Sequence, residues 1–490
     1  MKDRMRPSYL LPLAAAAALL AGCVHVPTDP QRVAGPDFAQ ARVSPALQLP
    51  ADAWPAEQWW RGWHDPQLDA LMDHALRGSP TLRVAQARVA ASQAQAGLAR
   101  ANTGVNVDLP VGLNRQRYSA NGFFPPPLGG AWYNDASVAA RVAYDFDWWG
   151  RNRATISAAL GEVNAANAQA AQAQQVLAAS VAQSYFRLQM LWARADNVNA
   201  QIALQRDIVA GREQRIARGL ISQDLLQNGR LDLGKLTEQA ARFEADAARE
   251  RETLRALLGA GDDGDAVVDR LARKEPAAGA DALPRTLGME LLARRPDLQA
   301  ARWRVEAQLG RVAASEAAFR PDINLVASVG LDALSLGKLL RYPSRTPLVG
   351  ATLDLPLFDS GRLNAQLGVA RSSRDELLAE YNEAVLNAVR DVAREAATLQ
   401  GIARETDAHA ATFDASRKLA ANAEARMQRG LADRAAVLQA RQAVLRQRDV
   451  GLQLTDARLQ TQVALVRTLG GGYHAQAPAG SPDLTQSNPK

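Results

Sequence analysis

Residues 181–220 read VAQSYFRLQMLWARADNVNAQIALQRDIVAGREQRIARGL, and this stretch decides the fold. An apolar residue returns at every seventh position: Val181, Leu188, Ala195, Ile202, Val209 and Ile216. A sustained seven-residue repeat predicts a helix that packs in a left-handed coiled coil. The helix should be long, because residues 151–218 contain no proline and only two glycines. With a rise of about 1.5 Å per residue, it would extend roughly 100 Å.

The same helix occurs a second time, 211 residues further along the chain. The corresponding positions are Val392, Leu399, Thr406, Phe413, Ala420 and Met427, so five of the six pairs are apolar in both copies. The flanking residues repeat with the same offset, because Gly150-Arg151 corresponds to Gly361-Arg362. A repeat of this length predicts a tandem duplication that covers most of the chain.

The repeat and the changes in composition divide the chain. We predict a signal peptide at 1–22, an N-terminal arm at 23–63, a first repeat at 64–258, a linker at 259–285, a second repeat at 286–472 and a flexible tail at 473–490. Each repeat should contain a helix followed by a β-hairpin, a long helix and a return helix. In the first repeat, the hairpin is expected at 104–147, the long helix at 151–218 and the return helix at 222–258. In the second repeat, the same three elements are expected at 322–358, 362–429 and 433–469. The acidic cluster at 262–265 lacks the spacing of a calcium loop, so we expect a solvated linker there.

Each predicted hairpin alternates apolar and polar residues, which is the pattern of a half-buried strand. The first strand, for example, alternates Val105, Val107, Leu109, Val111 and Leu113 with mostly polar neighbours. Two structures fit this pattern: a ribbon packed on a soluble core, or a barrel wall whose apolar face contacts lipid. Strands of about ten residues favour the barrel. Aromatic residues at the strand ends, such as Trp148 and Trp149, favour it as well.

The polar face of these strands is the expected lumen of such a barrel. It carries Asp108, Arg141, Asp145, Asp147 and Asp354. Four strands are too few to close a barrel, because about eight is the smallest number that does so. A barrel therefore requires at least two chains, and three chains would supply twelve strands.

The N-terminal residues predict export and a lipid anchor. Residues 1–22 combine a basic start with the apolar run Leu10–Leu20, which is typical of a secretion signal. The only cysteine, Cys23, follows Leu20-Ala21-Gly22 in a sequence that looks like a bacterial lipobox. We expect Cys23 to become the lipid-modified N-terminus; the alternative is an ordinary signal peptide with an incidental cysteine. Val24 rather than aspartate follows it, which favours the outer membrane.

A sharp turn is predicted between each long helix and its return helix. Arg218-Gly219-Leu220 and Arg429-Gly430-Leu431 place a glycine just past a helix end, where a left-handed residue is needed. Ser222 opens the first return helix, which continues with Asp224, and Asp433 opens the second. We therefore expect two helical hairpins, each with a tip at its glycine.

The sequence predicts no enzyme. The five histidines are scattered, and no P-loop, no strand-linked GxGxxG and no Gly-x-Ser-x-Gly motif occurs. A single cysteine excludes an internal disulfide or a cysteine-based metal site. The net charge of +6 is spread along the helices, which argues against a nucleic-acid partner. We expect no metal and no cofactor apart from the covalent lipid on Cys23.

Several motifs in combination resemble the TolC-type outer-membrane efflux family, in its lipoprotein (NodT-type) branch. They are Trp59-Trp60, Asp65-Pro66-Gln67-Leu68, Arg294-Arg295-Pro296-Asp297-Leu298, Leu355-Pro356-Leu357-Phe358-Asp359-Ser360-Gly361-Arg362, Gly430-Leu431 with Val437-Leu438-Gln439-Ala440, and Leu469-Gly470-Gly471-Gly472. The resemblance covers about residues 20–473.

The resemblance implies a membrane α+β protein. It implies a homotrimer whose twelve-stranded outer-membrane β-barrel, with four strands per chain, continues into a long periplasmic α-helical coiled-coil barrel. The function implied is a passive duct of a tripartite efflux pump that exports drugs or other toxic small molecules. The expected partners are outer-membrane lipid, an inner-membrane pump of the RND class, and a periplasmic adaptor protein that docks at the tips. The tip residues are Arg218, Gly219, Leu220, Ser222, Arg429, Gly430, Leu431 and Asp433.

The chain departs from the family at the expected periplasmic gate. Several relatives have an aspartate before Ala-Gln near the second tip, whereas this chain has Gln439 followed by Ala440 and Arg441. A charged gate at that position is therefore in doubt, and Asp224 or Asp433 would have to supply the acidity. Two other functions stay open: a duct for type I protein secretion, and a structural periplasmic coiled-coil lipoprotein without a pore.

Overall fold

The computed structural model describes residues 26–29, 34, 54–259, 261–276 and 294–474. The predicted signal peptide, Cys23 and most of the N-terminal arm lie outside these ranges, as does most of the C-terminal tail. None of the helices within them combines the length and the apolar character that a membrane-spanning helix requires.

From the helix that precedes the strands onwards, both repeats share one order of elements, except that two short 3₁₀ helices (Leu336–Lys338 and Tyr342–Ser344) lie between the strands of the second. The first contains a 3₁₀ helix (Trp59–Trp63), α1 (Pro66–Gly78), α2 (Pro80–Asn102), β1 (Asn106–Asp108), β2 (Val111–Arg117), β3 (Trp132–Asp145), α3 (Arg151–Ala217) and α4 (Gln223–Leu258). After α5 (Asp262–Asp269), the second contains α6 (Pro296–Ala317), β4 (Asp322–Ala333), β5 (Arg345–Asp354), α7 (Arg362–Gln428) and α8 (Arg434–Thr468). The duplicated helices α3 and α7 have 67 residues each.

The predicted solvated linker is wrong for residues 262–269, which form α5. Two arginines of α4 hold this helix, because Arg251 and Arg255 each donate to Asp269, at 2.6 and 2.7 Å. Val268 of α5 is buried in the main hydrophobic core. Asp269 therefore connects a short packed helix to α4.

The strands form one antiparallel sheet in which β3, β4 and β5 are neighbours in that order. β1 and β2 both pair with β3, and together they form one strand position that is interrupted at Leu109 and Pro110. Proline explains the interruption, because it has no N–H to donate to the ladder. The two predicted hairpins pair with each other through β3 and β4, from Ala136 opposite Ala333 to Asp145 opposite Asn324. The sheet thus has four strand positions, and β1–β2 and β5 form its edges.

The register collects the apolar residues of all strands on one face, because directly paired residues share a face. Val107 lies opposite Val142, Val142 opposite Ala327, and Ala327 opposite Val349. This face is open: Val107 and Val349 are 67% and 81% exposed. The alternative of a ribbon packed on a soluble core is therefore not supported, since no core within the described part of the chain covers these side chains.

The chain divides into two compact units, and each contains segments of both repeats. The first unit comprises Met1–Gly35, Val89–Ala166 and Ala301–Tyr381, and it contains the sheet. The second comprises Pro36–Arg88, Asn167–Ala300 and Asn382–Lys490. Helices α3 and α7 have residues in both units. The two copies are therefore interleaved, rather than folded as one unit per repeat.

Small residues bring helices together in the first unit. A Cβ atom built on Gly161 of α3 would lie 2.9 Å from the Cα of Ala307 in α6. One built on Gly310 of α6 would lie 2.9 Å from the carbonyl oxygen of Ala154. The backbones of α3 and α6 are thus nearly in contact at these positions.

The seven-residue seam forms the core of the second unit. In α3, Val181, Leu188 and Ala195 are buried, and the seam stays buried as far as Val209. In α7 the corresponding seam is buried only at its beginning, and Met427 near its end is 37% exposed. The second long helix therefore presents apolar side chains that none of the residues in the described ranges covers.

Candidate functional site

Four of the five predicted lumen residues lie on the polar face of the sheet. Asp108 pairs directly with Arg141, which lies opposite Ser328. Asp145 lies opposite Asn324, and Asp354 lies opposite Asp322. The register therefore brings carboxylates and one guanidinium group onto the face opposite Val107 and Val349, as the alternating sequence predicts.

Asp147 is not on this face, so its predicted place in the strand is wrong. β3 ends at Asp145, and the Asp147 carboxylate caps α3 by accepting hydrogen bonds from the backbone N–H groups of Asn152 and Arg153, at 2.9 and 3.0 Å. Burial raises the pKa of the Asp147 carboxyl, but these hydrogen bonds and the Arg153 side chain outweigh it, so the pKa is lowered. In the second copy, Asp359 caps α7 in the same way, through the N–H of Leu363.

The Asp147 cap predicts a pH-dependent loss of stability in Asp147→Ala. A carboxylate with a lowered pKa in the folded state stabilises the protein above its unfolded-state pKa, about 3.9, and this contribution is lost as the pH falls through the lower folded-state value. We expect Asp147→Ala to cost about 1 kcal/mol at pH 7 and progressively less below pH 4. Thermal unfolding in detergent at several pH values measures this. Glu405→Ala, which removes an exposed carboxylate within α7, should show no comparable change.

The two predicted tips have the same backbone geometry. Gly219 and Gly430 have positive φ angles of 69° and 72°. The N–H of Leu220 donates to the carbonyl oxygen of Arg215 at 2.9 Å, and the N–H of Leu431 donates to that of Arg426 at 2.8 Å. Both long helices therefore end in a left-handed glycine cap. This cap exposes the following leucines, with Leu220 63% and Leu431 66% exposed.

The polar tip residues differ between the copies. Asp433 caps α8 by accepting from the N–H of Ala436, whereas Ser222 begins α4 without a side-chain hydrogen bond of this kind. Asp433 also pairs with Arg215 of the first hairpin at 3.3 Å. Arg434 pairs in turn with Asp207 of α3 at 2.9 Å. Two ion pairs thus connect the hairpins close to their tips.

The predicted gate residues lie on the return helices. Asp224 is exposed in the first turn of α4, and Gln439 is exposed on α8. Arg441 forms an ion pair with Glu424 of α7, within the second hairpin. The Arg441 charge is therefore compensated locally by its own hairpin.

A set of contacts that the sequence analysis missed joins α3 to α8. Arg194 donates to both carboxylate oxygens of Asp449, at 3.0 and 3.3 Å. The Asn197 side chain donates to the carbonyl oxygen of Leu445 at 2.9 Å. Gln442 donates to the side-chain oxygen of Gln205 at 3.0 Å. These contacts connect the first helical hairpin to the return helix of the second.

A signal for this interface was present in the sequence. Buried polar residues recur on α3 at intervals of four beside the apolar seam, at Asn197, Gln201 and Gln205. Two of them, Asn197 and Gln205, contact α8. Polar side chains buried on a helix need partners from a neighbouring element. The spacing could have indicated a second packed face, although it does not name the partner helix.

The tryptophan-rich motif that opens the first repeat forms an aromatic cluster. Trp59 lies 5.7 Å from both Trp60 and Trp63, measured between ring centroids. Asp65 caps α1 through the N–H of Gln67 and accepts a hydrogen bond from the Tyr185 hydroxyl at 2.8 Å. Burial makes the largest contribution to raising the pKa of the Tyr185 phenol, and the hydrogen bond to Asp65 raises it further. The hydroxyl group therefore stays neutral and donates its proton to this hydrogen bond. The motif thus connects the start of the repeat to α3.

Among the residues that the structure describes, no group of three or more histidine, cysteine, aspartate or glutamate side chains is arranged to hold a metal ion. A sheet with an open apolar face and a polar opposite face, on a chain that also forms two long helical hairpins, is the arrangement expected of an outer-membrane channel protein. Comparison with known proteins identifies the family. The model of the outer membrane efflux protein family matches residues 71–260 and 287–471, and the chain belongs to this family.

Individual relatives agree with this assignment. The chain is 36% identical over 467 residues to the multidrug resistance outer membrane protein MdtP of Shigella flexneri, covering 93% of this chain and 95% of that relative. The crystal structure of the outer membrane protein VceC from Vibrio cholerae matches with a TM-score of 0.76 and 29% identity, over 86% of this chain and all of VceC. The CmeC outer membrane channel of Campylobacter jejuni has the same fold, with a TM-score of 0.80 at 18% identity. The protein is an efflux channel of the outer membrane.

Proposed function

We propose that this protein forms a homotrimer with a twelve-stranded β-barrel, to which each chain contributes its four strand positions. The observation that carries this proposal is the open sheet. β5 pairs with β4 alone and β1–β2 with β3 alone in the described residues, so both edges have unused backbone donors and acceptors. Inside a bilayer, where no water is available, such edges have to be closed by other strands.

The exposed apolar side chains support the same assembly. The apolar face that carries Val107 and Val349 would contact lipid, and the face with Arg141 and Asp145 would line a wet lumen. On α7, Leu386 and Leu419 are 56% and 66% exposed, which suits burial against helices of neighbouring chains. The helical hairpins of three chains would then form a periplasmic coiled-coil barrel, anchored additionally by a lipid on Cys23.

The proposed activity is passive export of drugs or other toxic small molecules. We infer this substrate class from the names of two relatives, MdtP and MdtQ. Both are named multidrug resistance outer membrane proteins, and each is about 36% identical to this chain. The channel would receive its substrates from an inner-membrane pump of the RND class through a periplasmic adaptor that docks at the hairpin tips. We place the closed gate near the tips, where Asp224, Gln439 and Arg441 lie along the return helices.

Adaptor docking at the tips predicts the effect of charging them. Leu220→Asp combined with Leu431→Asp places carboxylates where an apolar partner surface would bind. A loss of about 2 kcal/mol, which is the size of an interface hot spot, corresponds to roughly 30-fold weaker docking. In a host whose drug resistance depends on this channel and its pump, we expect resistance to fall to the level of the deletion strain. The amount of protein in the outer membrane should not change.

The matched control is the pair Leu220→Met and Leu431→Met, which keeps apolar side chains of similar volume at both tips. It should retain full resistance. If the aspartate variant transports as well as the wild type, the adaptor does not dock at these leucines. If deletion of the channel from its native host leaves drug resistance unchanged but abolishes secretion of a protein substrate, the type I secretion alternative is correct.

A further inference from the structure

A short N-terminal segment, Val26–Asp29, is held by two arginines of α7. Arg374 donates to both carboxylate oxygens of Asp29, and Arg371 donates to the backbone carbonyl oxygens of Pro27 and Thr28, at 2.8 and 3.2 Å. Arg371 and Arg374 are three residues apart, so both project from the same side of the helix. Together they bind the backbone and the one charged side chain of the segment.

Burial and ion pairing show that the arginines form a built site. The Arg374 side chain is only 2% exposed and also donates to Asp375, at 2.8 Å. Arg371 is fixed from a second helix, because it donates to Glu316 of α6 at 2.9 Å. Both guanidinium groups are therefore oriented by neighbouring carboxylates while they bind the N-terminal segment. Bidentate arginine–carboxylate contacts of this kind are among the stronger hydrogen bonds in proteins.

The segment itself is suited to being held. Val26 precedes Pro27 and Asp29 precedes Pro30, and a residue before proline is restricted to extended conformations. A chain that is already restricted loses less conformational freedom when it is bound. Val26 adds an apolar contact, because it packs against the cluster formed by Val312, Phe319, Leu363, Leu367 and Ala370.

The order of the contacts gives the direction of the segment. Asp29 binds at Arg374, Pro27 and Thr28 bind at Arg371, and Val26 packs on the cluster that includes Leu367 and Leu363. From Asp29 back to Val26, the chain therefore runs towards the beginning of α7, which follows β5 in the sequence. In the sequence, Cys23 precedes Val26 by three residues, which can span at most about 11 Å of extended chain.

We propose that Arg371 and Arg374 form a receptor site for the protein's own Val26–Asp29 segment, which directs the acylated N-terminus towards the end of the β-sheet. The inference rests on the proposed acylation of Cys23 and adds what positions it. A lipid anchor alone would not fix the position of the attachment point relative to the sheet and the helices. The receptor site would instead limit the attachment point to within about 11 Å of extended chain from Val26.

A spin label at Thr28 tests the receptor site, because the Thr28 side chain is exposed and tolerates a probe. Thr28→Cys is labelled with a nitroxide in the purified, detergent-extracted protein, and its mobility is read from the EPR spectrum. With both arginines present we expect an immobilised label. In Arg371→Gln/Arg374→Gln we expect a rotational correlation time roughly fivefold shorter, as for a free chain terminus. Arg390→Gln, which removes an exposed arginine of α7 paired with Asp391, should leave the spectrum unchanged.

A second variant keeps the test decisive if the arginine variant does not fold. Asp29→Asn alters only the terminal segment and should mobilise the label as Arg374→Gln does. The double variant Asp29→Asn/Arg374→Gln should add nothing further, because both changes remove one contact. The proposal would be overturned if the label had the same mobility in the wild type and in the variants, whether it is mobile in all of them or immobilised in all of them.

The labelling reaction tests the acylation separately, because Cys23 is the only natural cysteine. Without Thr28→Cys, an acylated protein takes up no label, whereas one label per chain would show that Cys23 is free and that the proposed lipid is absent. The receptor site would then be tested in a Cys23→Ser background. Failure of the anchor and failure of the receptor site are thus distinguishable.

Discussion

Gly470→Ala is expected to prevent recovery of stably folded protein. Gly470 has a φ of 91°, and a Cβ atom at this position would lie 1.9 Å from the carbonyl oxygen of Arg294. The segment around Arg294 cannot easily move, because Arg295 is bound to Asp297 and donates to the carbonyl oxygen of Thr468 at 3.0 Å. Backbone strain of about 1–2 kcal/mol adds to overpacking of about 1–3 kcal/mol. The total is a large fraction of the stability of a typical domain.

Gly430→Ala is the matched control for this prediction. Gly430 has a similar φ of 72°, but nothing lies within 4 Å of its built Cβ position. It should therefore show only the backbone strain and a modest decrease in thermal midpoint. Yield and thermal unfolding in detergent measure both variants. Equal stabilities of the two variants would contradict the close packing of Gly470 on the Arg294 segment.

Loss of the Arg194–Asp449 pair is expected to loosen the second helical hairpin and to raise channel conductance. The side chains are 22% and 14% exposed, and the Arg194 guanidinium also lies over the Phe243 ring of α4, 4.5 Å from its centroid. Removing one partner of a largely buried pair leaves the other charge uncompensated, which costs about 2 kcal/mol or more. If opening requires α8 to move relative to α3, Arg194→Gln should increase the single-channel conductance in planar bilayers and lower the thermal midpoint.

The control and the double variant separate this effect from a general loss of stability. Arg390→Gln removes an exposed pair, of the kind that contributes little, and should change neither measurement. Arg194→Gln/Asp449→Asn should conduct as the single variants do, because all three lack the same contact, but it should be less destabilised than either, because no uncompensated charge remains. If Arg194→Gln lowers the thermal midpoint but conducts as the wild type does, the pair stabilises the hairpins without restraining the opening.

Local sequence patterns predicted the elements that carry their own periodicity. The seam from Val181 to Val209 lies in one helix and is buried, and the strand alternation places Asp108 and Arg141 together on the polar face. These features follow from short-range geometry, because the periods of helix and strand determine which residues share a face. The duplication supported the prediction of the long helices and the strands, because the same spacing of apolar residues occurs in both copies.

Contacts between distant segments could not be predicted in this way. Arg194 and Asp449 are 255 residues apart, and Asp29 and Arg374 are 345 apart. Neither pair leaves a local pattern, because an ion pair depends on the packing of helices that are distant in sequence. Asp147 was misplaced for a related reason: alternation extends the strand to this residue, whereas the backbone N–H groups of α3 bind its carboxylate.

Native mass spectrometry of the mature, detergent-extracted protein tests the central claim most directly. The account predicts particles with three lipid-modified chains, because four strand positions per chain and two unpaired edges require neighbours to close the barrel. After Cys23→Ser, the trimer should still need detergent for extraction, because the barrel alone holds it in the membrane. A monomer that leaves the membrane without detergent after Cys23→Ser would contradict the account, since only the lipid would then have attached the protein.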